Sequence, residues 1–219
     1  MTYSRDLITS PTQIVIKAAD RFKDPPIRMN ELWQTDFSYL KVVHWGWDYL
    51  PTIRDDYSRY IITWELCKKM RSDDMERVVS RALDITGQAP DERPRLLSDN
   101  GSCYVSGDLK EYLEEVSITH VRGKPLHPQT QGKIERYHRT MKNIIKLEHY
   151  YSPEELEAHI AEFVDYYNNQ RYHESLNNVT PADVFFGRDK EILARRELIK
   201  QRILLKRRLD FEVQKTTMI

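Results

Sequence analysis

The hydrophobic pattern changes its period near residue 70, and that change limits the folds open to the chain. Before it, Trp33–Val43, Gly46–Ile53 and Tyr57–Cys67 are rich in Trp, Tyr, Thr, Ile and Val, the residues that fit a pleated, half-buried surface. Lys41–Gly46 and Arg54–Ser58 read as connections, so three strands joined by short loops predict an antiparallel meander. After it, Met75, Val78, Val79, Ala82 and Leu83 recur at helical spacing, with Ser72 as the expected N-cap and Gly87 as the stop. Arg95–Ser98 reads as a short strand ending at the turn Asp99-Asn100-Gly101, residues 106–115 as helix and Val116–Val121 as strand. A long helix is expected from about Gly132. A further helix is announced by Ser152-Pro153-Glu154-Glu155, a capping box with proline in the first turn. Its apolar face is Leu156, Ile160, Phe163, Val164 and Tyr167. Three strands, helix, strand, helix, strand and then helices predict an α/β protein whose mixed sheet carries helices on its faces.

Composition narrows the function classes. No apolar run approaches the ~18 residues of a membrane-spanning helix, and the N-terminus has no signal-peptide core. Cys67 and Cys103 are the only cysteines, which excludes a disulfide-framed scaffold. The expectation is a soluble cytoplasmic protein. Its formal net charge is zero, yet the charge is segregated. Residues 121–150 hold seven basic groups against two acidic ones, and residues 188–208 hold nine against three. Two basic segments on a neutral chain suit a polyanion-binding face.

Three carboxylates stand out. Asp36 lies inside the first strand, in Trp33-Gln34-Thr35-Asp36-Phe37, where an unpaired charge is costly to bury. Asp99 closes the fourth strand, at the end where open α/β sheets place ligands. Glu135 lies in the first turn or so of the long helix, with 35 residues between it and Asp99. Singly, each also reads as an ordinary turn or helix-end acid. Jointly they resemble a known family, the bacterial insertion-sequence transposases of the DDE type, whose catalytic domain is similar to the retroviral integrase core. The matching words are Thr35-Asp36-Phe37, Ser98-Asp99-Asn100-Gly101 and the run from His127 to Arg136. Tyr166-Tyr167-Asn168, Arg171-Tyr172-His173 and Thr180-Pro181-Ala182 complete the resemblance.

The resemblance implies a ribonuclease-H-like five-stranded mixed sheet flanked by helices, with a C-terminal helical extension. It divides the chain into a lead-in segment (1–30), an integrase-like catalytic core (31–187) and a basic helical tail (188–219). It also implies an Mg²⁺-dependent polynucleotidyl transferase, with Mn²⁺ as a substitute. Asp36, Asp99 and Glu135 would be both catalytic residues and metal ligands. Three carboxylates make an all-oxygen set for hard cations, and two such metals can clamp both oxygens of an in-line phosphoryl displacement. The enzyme would nick DNA at the ends of an insertion sequence and join the freed 3′-OH to target DNA. Its partners would be element ends, target DNA and further copies of itself on DNA, with nucleoid association and no membrane. Family members usually carry a helix-turn-helix region ahead of the catalytic domain, whereas about 30 residues precede the first strand here. A catalytic part of a larger protein, or a shortened reading frame, is therefore expected.

On the long helix Glu135, Arg139, Lys142 and Lys146 share one face, while Ile134, Met141 and Ile145 point to the core. An acid with cations in line behind it suits a metal site with a phosphate track. By the resemblance, Gln131 and Lys142 would touch the DNA end; Lys133, Arg139 and Lys146 are the further expected DNA contacts. Gly123–Gln131 would be a mobile flap. The scattered histidines and the absence of a paired-cysteine spacing argue against a structural zinc site. Trp33, Trp45, Trp47 and Trp64 read as sheet core, and Asp55, Asp56, Asp73 and Asp74 as turn or cap residues. Two other functions fit the pattern less fully: a ribonuclease-H-like nuclease, and a truncated, non-catalytic DNA-binding regulator of a full-length transposase.

Overall fold

Five strands form one sheet in the order β3-β2-β1-β4-β5. The structure is a computed structural model, and it describes residues 26–122 and 132–217. β1 (Leu32–Val42), β2 (Gly46–Asp55) and β3 (Ile61–Trp64) make the antiparallel meander, with Trp33 opposite Asp55 and Val42 opposite Gly46. β4 (Arg95–Ser98) lies parallel to β1, and β5 (Thr119–Arg122) parallel to β4. Parallel pairing requires a crossover, and α1 (Ser72–Thr86) and α2 (Gly107–Glu115) supply the two helical connections. α3 (Gly132–Ile145), α4 (Pro153–Asn169), the short α5 (Pro181–Phe185) and the long α6 (Asp189–Thr217) follow.

The two-residue period of β1 divides the core. Trp33 and Phe37 face one side and pack with Met75, Val78, Val79 and Ala82 of α1 and with Leu109 and Leu113 of α2. Leu40 and Val42 face the other and pack with Ile134, Tyr137, Met141 and Ile145 of α3 and with Leu156, Ile160 and Phe163 of α4. Full burial of each such aliphatic side chain stabilises by about 1.5–3 kcal/mol. Asp36 and Ser38 belong to the α3 side by the same alternation.

Pro51 sits in a central strand without disturbing it. Its carbonyl accepts from the Glu65 N–H at 3.3 Å, so its missing donor also points to the β3 side and away from the β1 ladder. Edge strand β3 is held by a buried amide of α4: Asn168 accepts from the Ile61 N–H at 2.9 Å and donates to the Ile61 carbonyl at 3.0 Å.

Several expectations are corrected. The α1 N-cap is Arg71, whose N–H donates to Asp74 Oδ2 at 3.1 Å; Ser72 is the first helical residue and is buried. The third strand is four residues long, because Asp55, Ser58 and Arg59 close a turn that uses up its expected start. The fifth begins at Thr119, after Ser117 takes a left-handed conformation. Trp33 is core, but Trp45 and Trp47, at the end of the β1–β2 hairpin, are more than half exposed. Asp55 and Asp56 do serve a turn: Asp55 accepts from the N–H and hydroxyl of Ser58 and from the Asn30 N–H.

Candidate active site

Asp36 is positioned by the end of its neighbouring strand. β4 pairs with β1 only as far as Gln34↔Leu97, so beyond that point the β1 backbone groups facing it lose their partner. The Asp36 carboxylate takes one of them, accepting the Phe37 N–H at 2.8 Å. Extending the register by two residues brings Asp36 level with Asp99, the first residue past β4. Asp99 is fixed by its turn: Oδ1 accepts the Gly101 N–H at 2.8 Å, and a Cβ at position 101 would stand 3.0 Å from that oxygen. Glu135 comes from α3, which packs across the same face of β1. It lines, with Asp36, an open cleft of about 690 Å³.

The fields of the three acids meet at Asp36. Its carboxyl is raised to about 7, first by burial, then by Asp99, with Glu135 adding to the rise; Lys142 acts against it. Arg139, Lys142, Asn143 and Lys146 line the cleft beside Glu135, so the cationic stripe read from the α3 period borders the acids. Lys133 points elsewhere: its ammonium pairs with buried Asp56 on another side of α3. Gln131 and the expected flap 123–131 lie outside the described residues.

His138, one turn beyond Glu135, is a residue that sequence reasoning passed over. It is 4% exposed and packs under Asp36. Its Nδ1 meets the Ser38 hydroxyl, and its Nε2 stands 3.5 Å from Asp36 Oδ2, buried and with no other partner. Burial, then Lys142 and Arg54, pushes its pKa down to about 3, so the ring is neutral at pH 7. A Ser38 hydroxyl donating to Nδ1 would leave the ring proton on Nε2, facing the carboxylate. The available signal was the three-residue step from Glu135, which places both on neighbouring rows of α3.

Among the described residues no three His, Cys, Asp or Glu side chains are gathered closely enough to hold a metal ion. The chemistry of the donors nevertheless suits one. Three carboxylates are a hard oxygen set, the crowding that raises Asp36 is what a divalent cation would relieve, and the unpartnered His138 Nε2 stands where a ligand's supporting hydrogen bond belongs.

A five-stranded sheet with three leading antiparallel strands, crossover helices on one face and an acid-lined cleft under a helix on the other defines a ribonuclease-H-like core of the retroviral integrase type. Family models described as integrase core domain match residues 26–128 and 116–181, and the chain belongs to that family. It is 28% identical over 160 residues to the insertion element IS600 31 kDa protein of Shigella sonnei, covering 72% of this chain and 57% of that one. It is 26% identical over 178 residues to the transposase for insertion sequence element IS629 of Shigella sonnei, covering 80% and 59%. The chain thus spans a little over half the length of these insertion-sequence relatives. Among solved structures, the HTLV-2 integrase catalytic core domain in complex with magnesium is similar in fold. Its TM-score is 0.58 at 20% identity, covering 73% of this chain and 98% of that one.

Proposed function

We propose that this chain is the catalytic part of an insertion-sequence transposase, a polynucleotidyl transferase acting on DNA. One observation carries the reading: a strand-interior carboxylate, crowded by two acids from separate elements, opens into a cleft bordered by cations. Residues 31–187 act as the catalytic core and 188–219 as a basic tail that adds DNA affinity. The names of the IS629 transposase and of the magnesium-bound HTLV-2 core support this assignment.

Asp36, Asp99 and Glu135 would hold the divalent cation, Mg²⁺ or Mn²⁺. When bound, the metal lowers the cost of activating the attacking oxygen and of charge on the leaving oxygen. The chain's own residues do the rest. His138 orients the Asp36 carboxylate from below. Arg139, Lys142 and Lys146 take backbone phosphates and set the strand in line with the acids. In the nicking step a water oxygen bonds to phosphorus and the 3′ oxygen leaves with a proton. In the joining step that 3′-OH attacks a target phosphodiester and displaces its 3′ oxygen. One P–O bond forms and one breaks each time, ester for P–OH in nicking and ester for ester in joining, so no energy source and no protein nucleophile is required.

The test is Mg²⁺-dependent joining of a pre-cleaved DNA end to plasmid, for wild type beside Asp36→Asn, Asp99→Asn and Glu135→Gln. Each variant is expected to lose at least about a hundredfold in joining, since metal-ion catalysis is worth several kcal/mol. Retained joining in any one of them would remove that residue from the site. Hydrolysis without joining would make the protein a nuclease.

A further inference from the structure

Another side of α3 borders a second and much smaller cavity, of about 80 Å³. Arg54, Arg59, Lys133, Arg136, Arg171 and His173 line it, and among the described residues no carboxylate does. These residues come from β2, the turn after it, α3 and the segment following α4, so five cations converge from four parts of the chain. A solvated basic face does not look like this, because the cavity has a buried floor. Arg54 is 1% exposed. One of its terminal nitrogens donates to the Lys133 carbonyl at 2.8 Å and the other to Gln34 Oε1 at 2.7 Å. Among the described residues its Nε is buried without a partner, as is Nε2 of His173. A buried donor left unmade is costly.

The counter-charge at hand is too small for the cluster. Asp56 alone serves both Lys133 and Arg59. Asp55 is occupied by Ser58 and Asn30. Arg171 lies over the Tyr167 ring, 5.5 Å from its centroid, and Arg136 is exposed at the mouth. Burial and the neighbouring Arg54 hold the Arg59 guanidinium below its ordinary value. An anion in the cavity would relieve it and satisfy the Arg54 Nε–H. The volume suits one small group, since it equals the share of about two to three water molecules. Guanidinium forks recognise tetrahedral oxyanions better than they do halides.

We propose that this cavity is an oxyanion site that takes a single phosphate group, from a DNA backbone phosphodiester or from free phosphate. It lies apart from the acids, and Arg54 rather than Lys142 is its centre. The site stands whether or not the acids hold metal. It also gives Lys133 a role different from the catalytic-side DNA contact read from the sequence.

The experiment is a titration of the full chain with inorganic phosphate at constant ionic strength, followed through the Arg54 Nε–H resonance and by calorimetry. Arg136→Ala and Arg171→Ala serve as the variants, because both lie towards the surface and leave the buried Arg54 network in place. Saturable movement of the Arg54 resonance is expected in wild type, with affinity about tenfold weaker in each variant, the worth of one charge-assisted hydrogen bond. Displacement of phosphate by a short duplex would support the site with the DNA backbone as its source. Phosphate binding unchanged by duplex would support it with free phosphate as the source. No saturable movement at constant ionic strength, or affinity equal in wild type and both variants, overturns the proposal. Neither result depends on strand joining.

Discussion

At position 36 the metal-free fold carries a carboxylate that it would be more stable without. The Asp36 carboxyl is raised to about 7 by burial and by Asp99. Below about pH 4 the group is protonated in folded and unfolded chains alike and costs nothing. Between about pH 4 and 7 the unfolded chain ionises first, so folding stability falls across that window and levels off above it. Asp36→Asn should therefore raise metal-free stability at pH 8 by up to roughly 4 kcal/mol and flatten the fall, as read by thermal melts from pH 4 to 8 in a chelator. A melt that shows the same pH profile in both proteins would contradict the crowding. The same scale separates two lysines of the cleft. Lys142 acts on Asp36 directly, whereas Lys146 lies a turn further on, just past the end of α3, roughly 16 Å from Glu135 at 1.5 Å per residue. Lys142→Ala should cost more joining than Lys146→Ala, by about tenfold or more, with general duplex affinity lowered alike in both. Equal losses would make Lys142 one charge among several.

Among the elements, α4 does more than cover the sheet. Its Asn168 closes both backbone groups of Ile61 on edge strand β3, where unpaired groups would otherwise invite another strand. Asn168→Ala leaves those groups unmade in a buried place and is expected to destabilise by about 2–4 kcal/mol, measured by urea unfolding. Asn168→Asp keeps an acceptor and, when protonated, an O–H that can still donate to the Ile61 carbonyl, so at acid pH it should fall between wild type and alanine. On α3, one helix serves three surroundings. Ile134, Met141 and Ile145 are buried in the core, Glu135 and Lys142 line the open cleft, and Lys133 and Arg136 border the basic cavity. The 3.6-residue period makes that division automatic once the apolar row is docked.

For the whole molecule, α6 is the outlying part. It runs 29 residues, about 44 Å at 1.5 Å per residue. From Ala194 onward its described side chains are exposed. Arg196 ties it back near its start, donating to the Asn178 carbonyl at 2.6 Å and lying over the Tyr172 ring. A chain ending at Gly187 is expected to melt within a few degrees of the full chain, since little of α6 is packed. Its DNA affinity should depend less on salt. The slope of log K against log salt changes by about 0.9 for each phosphate contact removed. An unchanged slope would assign α6 to contact with protein instead.

The order of elements followed from the sequence because it rests on local causes. Strand-forming runs, the period of α1 and α4, the stop at Gly87 and the cap at Ser152 are all settled within a few residues. So was the alignment of Glu135 with Arg139, Lys142 and Lys146, which needs only a helix. The sequence resemblance to the integrase-like family located the acids for the same reason, since its words are short and contiguous. Packing decided what local rules do not reach. Trp45 and Trp47 stand exposed at the end of the β1–β2 hairpin, though their composition matched the core strands. Lys133 turned to Asp56 because a buried carboxylate from the turn after β2 stood within reach. His138 came beneath Asp36 only when α3 was laid across β1, and Arg54 met Arg59, Arg136 and Arg171 only when β2, α3 and the segment after α4 were brought together. Those groups lie up to about a hundred residues apart along the chain, and charge and desolvation act through space. Their partners, and so their chemistry, were fixed by the tertiary structure alone.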